Sequence, residues 1–348
     1  MSSGPNIRGI ASIAVAAALA GLCAACGSSQ STVATATAVA QRASGPPAGR
    51  IAFRRFLDEA QTQSALFTVR TDGSGDQQIT HPPAGTIDDQ PDWSPDGKLI
   101  AFERCSDAAG CQAFTVPAGG GPPRQVRVRC HVGGACDVSA PAWTPDGRLI
   151  VVLAQGRERV NNGVHQIQQS SLELLDLAKG TERTILKRTH WAGDFVGPAV
   201  SADGRTLVYT RANSWLTAPA GGSSLYTAGI DGSHNRRITP WKLGGGDRPV
   251  FSPAGSVLFR SYEDEETRQS QFMTVQPDGT ELRQLTHFPD GTLVLSASYS
   301  GDGRWIVYGG GGAGGNADLY LMRADGTGSR PLMRTNAWDS APDWGPGT

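Results

Sequence analysis

The chain has 348 residues, 18% of them charged, and a formal net charge of −1. No polybasic or polyacidic field exists to recruit nucleic acid or a charged membrane by bulk electrostatics, which argues against nucleic-acid partners and leaves only local patches open. The 45 glycines and 22 prolines suit many short strands and tight turns, in one large all-β domain or two smaller ones.

The first element in chain order is a leader. Arg8 precedes IASIAVAAALAGL, too short to span a bilayer comfortably and about right for the apolar part of a signal peptide. CAACGSS follows, with small Ala24 and Ala25 before Cys26, like a bacterial lipoprotein processing site. Cys23 departs from it, standing where leucine is usual. Residues 1–25 are expected to be removed and Cys26 lipidated; the alternative is ordinary cleavage and a freely secreted chain. Residues 26–48, rich in Ser, Thr, Ala, Gly and Pro, cannot bury enough apolar surface to offset their ordering entropy. They read as a flexible tether.

From residue 49 a repeat begins. PDWSPDGKLIAF at 91–102 returns as PAWTPDGRLIVV at 141–152. The aligned positions Ser94, Thr144, Ser201, Ser252, Ser300 and Gly345 lie 50, 57, 51, 48 and 45 residues apart. A second motif trails each, as in SALFTVRTDGSGDQQITH at 64–81 and QFMTVQPDGTELRQLTH at 271–287. One period therefore holds four short strands: A (PxWS), B (LIAF), C (LYTV) and D (RxLT). Four antiparallel strands per ~45 residues mark a β-propeller blade, which must stack on neighbours to cover its two faces.

The repeat opens at GRIAF, a strand B with no A before it, and stops at PDWGPGT, a strand A with no B after it. The expected fold is all-β: a six-bladed propeller of four-stranded antiparallel blades over residues 49–348, closed by the C-terminal strand A joining the N-terminal blade. Trp93, Trp143, Val200, Phe251, Tyr299 and Trp344 recur in strand A as wedges between blades. Asp96, Asp146, Asp203 and Asp302 precede glycine in turns of type I′ or a related kind.

PxWSPDGxxIAF followed by LYxxxxDGxxxRxLT resembles the repeat of TolB-like β-propellers, over residues 49–348. The resemblance implies six blades, export to the bacterial envelope and a rigid docking platform with partners over the channel mouth. Related propellers are accessory domains of serine peptidases, and some are metal-dependent lyases of pectate fragments. Fold does not fix function.

The tight A–B and C–D turns share one end, here the turn face. The longer B–C and D–A connections, among them 56–64, 156–170, 211–223, 261–270 and 309–316, share the other, where binding is expected. Asp89, Asp137, Asp194, Asp247 and Asp339 recur just ahead of strand A. They either bond turn backbone or form an acidic rim for a cationic or hydrogen-bonding partner. His81, His131, His190 and His287 end strand D, the outermost, and so start too far apart for one metal ion. Cys105, Cys111, Cys130 and Cys136 form two C-x5-C pairs, expected as 105–111 and 130–136 disulfides, with crossed pairings and zinc as alternatives. No P-loop ending follows the glycines at 309–315, and no G-x-S-x-G elbow appears. The expected function is non-enzymatic: a monomer, without cofactor or metal, binding an envelope protein, peptide or glycan. The rival is a metal-assisted polysaccharide lyase or hydrolase using the histidines and channel aspartates.

Overall fold

The structure is a computed structural model and describes residues 45–131, 136–159, 165–189, 194–212, 222–244, 246, 248–264, 269–311 and 316–347. The leader, Cys26 and the tether up to residue 44 lie outside the described residues.

Six four-stranded antiparallel blades follow one another along the chain, and one parallel pairing, Ser64 with Ile87, joins the first two into a single sheet. The second blade is Ile87–Trp93, Leu99–Ser106, Gly110–Pro117 and Arg124–Gln125. The third is Cys136–Trp143, Leu149–Arg159, His165–Asp176 and Thr181–Thr189. The fourth runs from Asp194–Val200 to Arg236–Arg237, the fifth from Val250–Phe251 to Arg283–Gln284, and the sixth from Leu293–Tyr299 to Arg330–Pro331.

The first blade is composite. Arg50–Phe56, Ser64–Arg70 and Gln77–Gln78 come from the start of the repeat, and Asp339–Trp344 from its end. Ile51 pairs with Trp344 and Arg55 with Asp339, so the last strand completes the first blade.

Burial follows this closure. Each of six apolar clusters joins two consecutive blades, and one joins the sixth to the first: Trp305, Val307, Leu319 and Leu321 pack on Ile51, Phe53, Val69 and Trp344. All six expected wedge residues lie in these clusters, one per interface.

Two local features refine the sequence reading. In the A–B turns glycine alone is left-handed, with φ of 68° at Gly97 and 82° at Gly147. Gly97 N donates to Ser94 O at 2.9 Å across Pro95 and Asp96, a type I turn ending in a left-handed glycine rather than type I′. Asp96 and Asp203 accept hydrogen bonds from Ser94 and Ser201, so these aspartates brace turns. Of the stretch 156–170, the described residues, 156–159 and 165–170, are strand rather than loop. The second and third strands of the third blade run through Arg159 and resume at His165, pairing His165 with Arg159.

Trp344 is 8% exposed and holds the closing strand in the seam. Trp344→Ala is expected to cost about 3–5 kcal/mol in urea unfolding, with the far-UV spectrum of the folded state unchanged.

Candidate binding face at the channel mouth

Strand A lines the channel and carries a bulge. The register shifts between Asp89 and Asp92, Ser139 and Ala142, and Val196 and Ala199. A residue of positive φ precedes a proline there: Gln90 (53°), Ala140 (46°), Gly197 (52°) and Ala341 (52°). The bulge re-aims the side chains after it.

One of these is the residue before the wedge aromatic. In the sixth, first and second blades it is Ser298, Asp343 and Asp92; in the third to fifth it is Ala142, Ala199 and Val250. Each polar one accepts the next blade's backbone N–H. Trp344 N donates to Ser298 Oγ at 3.1 Å, Trp93 N to Asp343 Oδ2 at 2.8 Å and Trp143 N to Asp92 Oδ2 at 2.6 Å. Ser298 Oγ also donates to Asp343 Oδ1 at 2.9 Å. This chain of clamps ties four blades across the closure.

From the opposite side Arg248 reaches over the channel, and its Nη2 donates to Pro91 O at 3.0 Å. Its Nη1 is buried without a hydrogen-bond partner among the described residues. Burial pushes Asp92 up to about 8, with Asp343 adding repulsion and Arg248 opposing it. Burial likewise raises Asp343. Glu103 accepts from Ala140 N at 2.8 Å and Gln90 Nε2 at 3.2 Å, and burial, then Asp89, push it up to about 7.

The five expected rim aspartates do not share one environment. Asp339 is fully buried, held by Arg55 at 2.7 and 2.9 Å and by Thr335 at 3.0 Å, so it offers no free carboxylate to a partner. Asp89 is paired with Arg54, which also donates to Ser340 Oγ at 2.7 Å. Asp137 accepts from Cys111 N at 3.1 Å. Asp194 opens its strand, and Asp247 lies outside the described residues.

The equivalent of Asp339 is Asp88, not Asp89. Asp88 is fully buried against Arg104 at 2.6 and 2.8 Å, with the strand register that pairs Asp339 with Arg55. A one-residue slip in alignment moves a side chain to the other face of the sheet.

The structure joins Cys105 to Cys111 and Cys130 to Cys136. Cys105 and Cys111 face each other across the hairpin, Cα atoms 4.0 Å apart. His81, His131 and His287 follow the outer strands of three different blades, and His190 lies outside the described residues. Among the described residues no three His, Cys, Asp or Glu side chains are grouped to hold an ion.

No protein-family model matches the chain. Among curated proteins, an uncharacterised Agrobacterium fabrum protein, Atu1656, is 26% identical over 214 residues, 61% of this chain and 62% of its own length. The Tol-Pal system protein TolB of Zymomonas mobilis is 36% identical over 78 residues, 22% of this chain and 15% of that protein. The chain thus spans less than two thirds of these relatives. Among solved structures, TolB from Acinetobacter baumannii has a TM-score of 0.64 at 18% identity, covering 86% of this chain and 67% of that one. The fold is that of the TolB-like β-propellers. It is also shared with an oligogalacturonate lyase in complex with manganese, at a TM-score of 0.50 and 16% identity, covering 83% of this chain and 74% of that one.

Within this TolB-like ring the polar half of the channel was hidden in the sequence. Asp92 and Asp343 stand inside PDW motifs that read as strand and wedge. The signal was present: two of six motifs put a carboxylate where three others put alanine or valine.

The folded state holds Asp92 near 8 against an ordinary 3.8. Stability from its protonated form is therefore fully present below pH ~4 and is lost as pH rises through ~8. Asp92→Asn, which keeps an acceptor for Trp143 N, is expected to melt close to the parent near pH 4 and to become progressively more stable than it as pH rises from about 4 to about 8, and scanning calorimetry at pH 4, 6 and 8 reads the slope.

Proposed function

We propose that the chain is an exported, lipid-anchored, monomeric propeller that acts as a non-enzymatic docking platform. Its long-loop channel mouth takes an envelope protein, peptide or glycan. The carrying observation is the mouth itself. Arg54 with Asp89, Gln90 with Glu103, and Arg248 stand together on a clamped ring, so polar groups are held in place before a partner arrives. Such preorganisation lowers the ordering cost of binding. Asp89 and Asp137 are the rim aspartates assigned to partner contact.

Topology supports the orientation. Arg50 begins its strand at the turn face, so a tether from Cys26 would attach there and the mouth would face away from the membrane. The rival reading, a metal-assisted polysaccharide lyase or hydrolase, draws on the fold shared with the manganese-bound lyase. It would need ligands brought together from histidines on separate blades.

A photo-cross-linking amino acid at Glu59 or Asp107, both exposed beside B–C loops, is expected to trap a discrete adduct in intact envelopes. The same group at Asp203 or Asp278 on the turn face should not trap it. Equal labelling from both faces, or none from the mouth, would remove the assignment. Mass analysis of the Cys26 peptide tests the anchor separately.

A further inference from the structure

A patch that the mouth does not use begins at the turn face and runs up the outer side of the ring. After the outer strand Arg124–Gln125 the chain continues extended along the seam between the second and third blades. Val126 and Val128 pack into that seam's apolar cluster, while Arg124, Arg127 and Arg129 are exposed. The alternation is that of an extended chain with one apolar side. Opposite lies the C–D turn of the third blade, whose Leu177 is 41% exposed. Only Leu57 and Leu177 are exposed large apolar side chains among the described residues.

These residues border one groove of about 540 Å³, with Val126 and Leu175 at its base. Lys179 stands beside it, bonded to Asp176 at 2.8 Å, and Arg129 lies 3.8 Å from Glu182. Arg124 and Arg127 have no ion pair among the described residues. Four cations against two carboxylates leave the patch at +2 in a chain whose net charge is −1.

We propose that this patch rests on an anionic lipid bilayer, with Leu177 in the headgroup layer and Arg124, Arg127 and Arg129 against lipid phosphates. An apolar side chain raised among cations is the pattern of interfacial binding. The tether supplies the second argument. Residues 26–48, read as a tether from their composition, lead to Arg50 at the turn face, where Pro47 O accepts from Thr71 Oγ1, and a random coil of about 20 residues would have an r.m.s. span of about 25 Å. A lipid at Cys26 would therefore hold this face near the bilayer. This rests on the anchoring reading for which surface lies near, whereas the patch itself is tested without the anchor.

The test uses the full chain carrying Cys26→Ser, so that no acyl group contributes, and vesicles of phosphatidylcholine alone or with 30% phosphatidylglycerol. Sedimentation with the anionic vesicles should exceed that with neutral ones by tenfold or more and fall at high salt. Arg124→Gln with Arg127→Gln should remove at least tenfold of it, since each cation near such a surface is worth roughly fivefold. Leu177→Ser should weaken it with the charges intact. The apolar leader is common to all variants and cancels in the comparison, and melting temperatures check that the ring is intact. Equal sedimentation of parent and double variant overturns the proposal. So does binding of soluble polyglutamate without binding of anionic vesicles, which would make the patch a polyanion site. An unmodified Cys26 with vesicle binding retained would sink the anchor and leave the patch standing.

Discussion

Everything in this molecule depends on one pairing, that of Asp339–Trp344 with Arg50–Phe56. A propeller blade has two faces, and each is covered only by its neighbours. An open arc would leave the apolar faces of its two end blades in water. The closing pair makes the sixth interface like the other five and brings Phe53 and Trp344 into one cluster with Trp305. It also sets the channel chemistry, because Asp343 rides on the closing strand and reaches the second blade through Trp93 N.

Charge gathers around that seam. Arg55 with Asp339, Arg104 with Asp88 and Arg54 with Asp89 all lie in the first two blades. Burying a fully shielded carboxylate is expensive, and the gain from pairing in the interior often does little more than offset the loss of hydration. Burial raises the Asp339 carboxyl despite Arg55. Such pairs do more for register than for stability. Arg55 also lies over Phe53 and Phe67, and Arg104 over Phe102 and Phe114. Shifting the closing strand by one residue would turn Asp339 away from Arg55, leaving a buried carboxylate without its cation and Arg55 with Asp76 alone.

Blade number, strand order and the joining of the ends were legible because they rest on period and alternation, which the sequence carries directly. The wedge positions were legible for the same reason. The mouth was legible only in part. Asp89 looked like the repeat of Asp339, yet both strands carry the same bulge, at Gln90 and Ala341, and the residue five before Trp93, as Asp339 is before Trp344, is Asp88. Two adjacent aspartates hid which one faces the arginine, because neighbours on a strand point to opposite faces. The bulge itself left a trace in the Gln-Pro, Ala-Pro and Gly-Pro pairs of strand A. Arg248 was beyond sequence reasoning, because its partner Pro91 is 157 residues away across the channel.

The uneven channel bears on what this ring can do. Ala142, Ala199 and Val250 leave one wall apolar, while Ser298, Asp343 and Asp92 make the other polar. A channel built only for closure would gain nothing from carboxylates that burial pushes toward protonation. Neither carboxylate is needed to fill space, since alanine serves in the third and fourth blades. What they add is a hydrogen bond to the next blade and, with Arg248, a polar spine beneath the mouth. The spine ties the blades that carry Arg54, Asp89 and Glu103, so those groups are held by backbone contacts rather than by loops. Rigidity at the mouth and closure of the ring are thus one arrangement of bonds, and a change that loosens the seam would also misplace the binding groups.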